Sequence, residues 1–105
     1  MLKIMNVDDL KTCLDQDSIL LIDVREADEH QTESIEKAVL IPLSEFSVEK
    51  VPITDKPIVI HCRSGGRSEH VCQILLKQDP SLDVSNLKGG ILAWREAGYP
   101  IIKHS

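Results

Sequence analysis

The chain predicts an α/β domain with a central, mostly parallel five-stranded sheet and helices on both faces, and three observations carry that expectation. Short apolar runs rich in β-branched residues recur at 20–24, 38–41, 58–60 and 84–87, with 3–5 as a candidate edge strand. Continuous rather than alternating apolarity marks strands that are buried on both sides. Helix-length segments separate these runs, which is the order of strand–helix–strand units. Finally, 105 residues suffice for one hydrophobic core but not for two, so a single domain over 1–105 is expected, with neither repeats nor a linker.

The elements follow in order. Asn6 before Val7, Asp8 and Asp9 reads as a helix start, a capping side chain followed by acids where the helix dipole favours them. Val7, Leu10, Cys13 and Leu14 then share one face, which makes Cys13 a core residue. The run 20–24 is interrupted by Asp23 and gives way to the polar stretch 25–34, suited to a loop with one helical turn. Pro42 closes the run 38–41 and Pro57 opens 58–60, the purest of the set. Over Ser68–Lys77, Val71, Cys72, Leu75 and Leu76 form the apolar face of the clearest helix. Gly98, with Pro100 just beyond it, reads as the glycine that ends a short final helix.

Composition narrows the function. A net charge of −5 without a Lys/Arg cluster argues against nucleic acid as a partner. The longest apolar run, Ile19–Ile22, is far below the roughly 20 residues of a membrane helix, and the start MLKIMNVDDL lacks the features of a secretory signal. No membrane association and a cytoplasmic location are expected. Cys13, Cys62 and Cys72 form an odd set without zinc-site or disulfide spacing, so free thiols are expected and neither metal nor cofactor is called for.

The chemistry concentrates in IVIHCRSGGRSEHV, residues 58–71, where Cys62 follows a buried strand and Arg67 opens a helix. Glycines at 65 and 66 let the loop curl so that successive N–H groups turn inward, and such a nest on a helix N-terminus binds an anion. The nearest anion is the sulfur of Cys62. The amides, with Arg63 and Arg67, are expected to lower its pKa below the free value of about 8.5 and give a nucleophilic thiolate without a dedicated base. His61 then reads as a structural strand-end residue. A metal site from His61, Cys62, His70 and Cys72 matches no usual spacing. Cys72, ten positions on, is expected to pack in the core rather than act as a resolving thiol.

The order LIDVRE at 21–26, AVLIPLSEF at 38–46, IVIHCRSGGRS at 58–68 and LKGGILAWREAGYP at 87–100 resembles a single-domain rhodanese, of the thiosulfate sulfurtransferase kind, across nearly the whole chain. The resemblance implies a rhodanese-like three-layer fold with a parallel five-stranded sheet. It implies that Cys62 takes a sulfane sulfur from a small sulfur-containing anion such as thiosulfate, holds it as a persulfide, and passes it to cyanide, a small thiol or a thiol-bearing protein. It also implies that the amides from Arg63 through Ser64, Gly65, Gly66 and Arg67 to Ser68 cradle the persulfide, that Arg63 and Arg67 attract the donor, and that Asp23 and Arg25 brace the loop. Trp94 and Tyr99 match positions that look structural.

Alternatives remain at this stage. A sulfur-relay or redox-sensing module that receives sulfur from a protein partner needs the same cysteine. A small cysteine phosphatase or arsenate reductase is disfavoured, because tyrosine-phosphatase-type loops carry one residue more between Cys and Arg than the four found here. The chain departs from the rhodanese pattern where Glu33, Ser34 and Lys37 stand for a Gly-His pair and a later glycine. The backbone turn is expected to differ there, away from the cysteine loop, and the acids to alter which donors enter.

Overall fold

The structure, a computed structural model, describes residues 2–103. Along the chain run β1 (Lys3–Met5), α1 (Val7–Asp15), β2 (Leu20–Asp23), α2 (Ala27–Thr32), β3 (Glu33–Ser34), β4 (Val39–Leu40), two 3-10 turns at Leu43–Glu45 and Val48–Lys50, β5 (Ile58–His61), α3 (Gly66–Gln78), β6 (Val84–Leu87), α4 (Gly90–Glu96) and β7 (Ile102–Lys103). Five strands form one sheet in the order β1-β6-β5-β2-β4, and every pairing within it is parallel. The expected sheet is therefore present, with no antiparallel member.

Its two faces bury separate clusters. On one, Ile22, Ile58, Ile60 and Val84 meet Val71, Cys72 and Leu75 of α3, with Leu43 and Val48 of the 3-10 turns and Phe46 between them packed alongside. On the other, Leu21, Val59 and Leu87 meet Leu10 of α1 and Ile91 and Trp94 of α4, with Cys13 at the border. Successive residues of β2 and β5 thus feed opposite faces, the pleat that makes each strand read as an apolar run up to its polar last residue, Asp23 or His61. Asn6 caps α1, its Oδ1 accepting from the Asp9 amide at 2.8 Å. Trp94 is 2% exposed, and its indole N–H donates to the Pro100 carbonyl at 2.8 Å. Gly98 takes a left-handed φ of 84° after α4.

Three local readings are corrected. The segment 27–32 is a six-residue helix rather than one turn, closed at its start by reciprocal bonds between Glu26 and Glu29. The helix expected from Ser68 begins at Gly66. A second, two-stranded antiparallel sheet pairs β3 with β7; strands this short carry no periodicity to read. At the atypical turn, Lys37 adopts a left-handed φ of 73°, so the backbone path that glycine would favour is kept with a lysine in it.

Candidate functional site

Parallel α/β sheets present ligand sites beyond the carboxyl ends of their strands, and Cys62 lies one residue past the end of β5, the middle strand. The loop from Cys62 to Arg67 has its carbonyls tied outward. The Cys62 and Arg63 carbonyls accept from the amides of Ile91 (3.0 Å) and Leu92 (3.2 Å) in α4, and the Gly65 carbonyl accepts from Asn86 Nδ2 (3.1 Å). Turning carbonyls outward turns N–H groups inward. The amides of Gly65 and Ser68 donate to Cys62 Sγ at 3.1 and 3.4 Å, and Ser68 Oγ lies 3.4 Å from it. Gly65 enables this with φ +116°, closed to most side chains.

Burial works to raise the pKa of the Cys62 thiol, which is 1% exposed. Hydrogen bonds from the Ser68 hydroxyl and from the amides of Ser68, Gly65 and Ser64 outweigh it and hold the thiol below its usual value. The lowering expected from the amides is thus present, but the arginines contribute less than expected. Arg67 makes a two-pronged ion pair with Glu29, Nη1–Oε1 2.7 Å and Nη2–Oε2 2.9 Å, which holds Glu29 down to about 2. Arg63 is exposed and has no side-chain partner among the described residues. Gly66 has an ordinary helical φ with open space where a Cβ would go, so the conformational need falls on Gly65 alone.

Asp23 and Arg25 meet in a buried pair, Nη2–Oδ2 2.8 Å and Nε–Oδ1 3.1 Å, both residues at most 3% exposed. Arg25 also donates to the carbonyls of Glu29 and Glu33, and His30 Nδ1 lies 2.8 Å from Asp23 Oδ2. This network fastens α2 and β3 to the end of β2; it reaches the cysteine loop through α2, by way of Glu29 and Arg67, rather than directly. Burial opposes ionisation of Asp23, but its bonds to Arg25 and His30 and the nearby His61 keep its pKa below the ordinary value.

His61 is fully buried, and its Nδ1 donates to the Cys62 carbonyl at 3.2 Å. Its Nε2 has no hydrogen-bond partner and stands 3.9 Å from Asp23 Oδ2; burial lowers its pKa. The ring therefore steadies the backbone of Cys62 and lies beside Asp23, its register partner, not on the sulfur. Cys72 is fully buried, and burial pushes its thiol up to about 12, a poor resolving nucleophile. Among the described residues, no group of three or more His, Cys, Asp and Glu side chains is placed to hold a metal ion.

Three contributors escaped the sequence reading. Asn86, on β6, donates to the Gly65 carbonyl and accepts from the Ser68 hydroxyl; its signal is an amide inside an otherwise buried strand. Gly90 packs so closely on the loop that a Cβ there would lie 2.4 Å from the Arg63 carbonyl oxygen and 2.5 Å from that of Cys62; its signal is the Gly-Gly pair at 89–90 between a strand and a helix. Glu29 has no local signal, since its partner is 38 residues away. Glu33 also departs from expectation. It lines a groove of about 300 Å³ together with Arg63 of the cysteine loop, Arg25, Asp28, Glu29 and Arg95, so the atypical segment borders the site.

A thiol held low in pKa by inward amides, at the carboxyl edge of a parallel sheet and the start of a helix, defines the class of α/β domains that bind an anion on a loop cysteine. Residues 6–97 match the family described as the rhodanese-like domain, and the chain belongs to that family. It is 37% identical to a protein named Sulfurtransferase from Allochromatium vinosum, over 84% of this chain and 82% of that one. It is also 37% identical to an uncharacterized protein from Synechocystis over 84% of this chain, spanning about half (49%) of that relative's length. The crystal structure of a rhodanese-related protein from Thermoplasma volcanium superposes with a TM-score of 0.85 at 31% identity, covering 95% of this chain and 97% of that one. Among the described residues, no helix is long and apolar enough to cross a membrane.

Proposed function

We propose that this protein is a sulfurtransferase that carries sulfane sulfur as a persulfide on Cys62. The carrying observation is the sulfur itself, held by the amides of Gly65 and Ser68 and lowered in pKa by them and by the Ser68 hydroxyl. The thiolate attacks the outer sulfur of a donor such as thiosulfate, the donor's S–S bond breaks, and its electron pair leaves with sulfite. The persulfide anion, one atom longer than the thiolate, lies within the ring of N–H groups from Arg63 to Ser68, which stabilise its charge. Cyanide or a thiol, free or on a protein, then takes the outer sulfur and returns Cys62 as thiolate, a double displacement with ping-pong kinetics. The membership of the family and the sulfurtransferase name of the Allochromatium relative support this reading.

The test is intact mass of the wild type and of Cys62→Ala after exposure to thiosulfate or to a small alkyl persulfide, followed by cyanide. The wild type is expected to gain one sulfur atom and lose it again to cyanide, while the folded variant gains none. Sulfur transfer by Cys62→Ala, or Cys62-dependent hydrolysis of an aryl phosphate in place of transfer, overturns the assignment.

A further inference from the structure

Of the two cations that a charge argument assigns to an anionic donor, Arg63 and Arg67, the second already has both of its terminal nitrogens on a carboxylate. Glu29 meets them at 2.7 and 2.9 Å. Glu29 is itself positioned by α2, where its Oε1 accepts from the Glu26 amide at 3.0 Å, and Arg25 fastens the same helix through the Glu29 carbonyl. The groove beside the loop extends the pattern. Arg95 pairs with Glu33 at 2.6 Å, and Arg25 with Asp23. Of the charged residues that line this groove, Asp28 and Arg63 are the two without a side-chain partner among the described residues, one of each sign. Three arginines beside the loop and its groove, Arg67, Arg95 and Arg25, are thus each matched by an acid, inside a chain whose net charge is −5. Such a field has little to draw in a dianion.

We propose that Glu29 is a specificity-determining residue: by neutralising Arg67 it makes the mouth of the loop electrically balanced and directs Cys62 toward sulfane donors of at most one negative charge, alkyl persulfides, over dianionic thiosulfate. This rests on the reading of Cys62 as the sulfur carrier. With a persulfide R–S–SH, the Cys62 thiolate attacks the terminal sulfur and the donor's S–S bond breaks. The electron pair departs on the R–S sulfur, which takes up the proton from the transferred sulfur. The products are R–SH and the Cys62 persulfide anion, and no second reactant is needed. Thiosulfate undergoes the same displacement but brings two negative charges beside the Glu29 carboxylate.

The experiment compares kcat/KM for thiosulfate and for hydroxyethyl persulfide in the wild type, in Glu29→Gln and in Glu29→Gln/Arg67→Gln, with Cys62 persulfidation followed by intact mass. Glu29→Gln is expected to raise the thiosulfate-to-persulfide ratio about fivefold, chiefly through the KM for thiosulfate, the upper size of a part-exposed ion-pair effect. The gain is expected to vanish in the double variant, because it needs the freed guanidinium. Parallel loss with both donors, or an unchanged ratio, overturns the inference and leaves Glu29 as a brace for the loop. Salt dependence of the wild type gives a second test that needs no variant. A balanced mouth predicts less than about a twofold change in kcat/KM for thiosulfate between about 0.02 and 0.2 M salt, whereas a steep fall overturns the proposal. Persulfidation by neither donor sinks the sulfur-carrier reading and this inference with it; persulfidation by both, independent of Glu29, sinks this inference alone.

Discussion

Two cysteines on the same side of the same sheet meet opposite electrostatics. Cys62 and Cys72 belong to one buried cluster, both almost inaccessible, and burial pushes both thiols upward. At Cys62 the backbone presents N–H groups, because the sulfur sits at the start of α3 where amides have no partner within the helix. At Cys72, in the body of that helix, the amides around it belong to the helical ladder and the carboxylate of Glu69 adds repulsion, so its thiol rises to about 12. Reactivity here is thus decided by which part of one helix faces the sulfur and not by depth of burial.

The largest expected effect breaks the favourable side of that comparison. Gly90→Ala places a Cβ against two loop carbonyls, at 2.4 and 2.5 Å, on a backbone with φ +59°. Backbone oxygens have no rotamer to give, so the loop must shift, at about 3 kcal/mol or more in stability. Sulfur transfer should fall with it, as Cys62 loses the carbonyl tethers that aim the amides inward. Gly66→Ala is the contrast, with open space and a helical backbone, and is expected to match or exceed wild-type stability. Chemical denaturation of both variants checks the pair, and equal stabilities would show that the loop is not held from α4.

Cys72 gives the next effect. Its folded pKa is raised, so the native state keeps the proton that the unfolded state sheds above the ordinary thiol value, and stability must fall as pH rises from about 9 towards about 12. The slope is about 1.4 kcal/mol per pH unit in that window and is absent from Cys72→Ala. The difference between the two stability curves, measured by urea unfolding at several alkaline pH values, isolates this group from the other residues titrating there. Parallel curves would place Cys72 in a more polar setting than the one described.

Much of this comparison was legible in sequence. The apolar runs of β2 and β5 announced strands covered on both faces, and the coincidence of Cys62, the glycines and a helix start announced the amide nest. Arg67 illustrates what was not. Its position and charge were plain, but its partner Glu29 lies in a polar stretch that read as a loop with one helical turn, and only the tertiary fold brings the two together. Asn86 was hidden for a related reason: pattern reading treats a polar residue in a buried strand as a blemish, whereas here it supports Gly65 and Ser68. The β3–β7 pairing is two residues on each side, too short for a hydrophobic alternation to repeat.

Ser68→Ala sharpens the comparison by separating side chain from backbone at Cys62. The hydroxyl has one proton and three acceptors within reach, Cys62 Sγ, the Gly65 carbonyl and Asn86 Oδ1. When the thiol is ionised, donation to Sγ stabilises the charge; removing it should raise the Cys62 pKa and move its alkylation profile to higher pH. The pH dependence of Cys62 alkylation, followed by mass mapping, measures the shift. An unmoved profile would assign the whole lowering to the amides.

The smallest effect concerns a left-handed turn outside the loop. Gly65 and Gly90 take positive φ where a side chain would disturb the site, but Lys37 takes φ 73° with a full side chain, at a cost of about 1–2 kcal/mol. Its ammonium donates to the Leu14 carbonyl at 3.3 Å, near the end of α1, and a cation there recovers only a few tenths of a kcal/mol. Lys37→Gly should therefore stabilise the protein by a net of about 0.5 kcal/mol, after the entropy that glycine adds to the unfolded chain is taken off. Thermal unfolding measures this directly. A loss of stability instead would mean that the lysine's contact with α1 outweighs its backbone strain, and that this turn too is maintained by side-chain contacts and not by backbone preference.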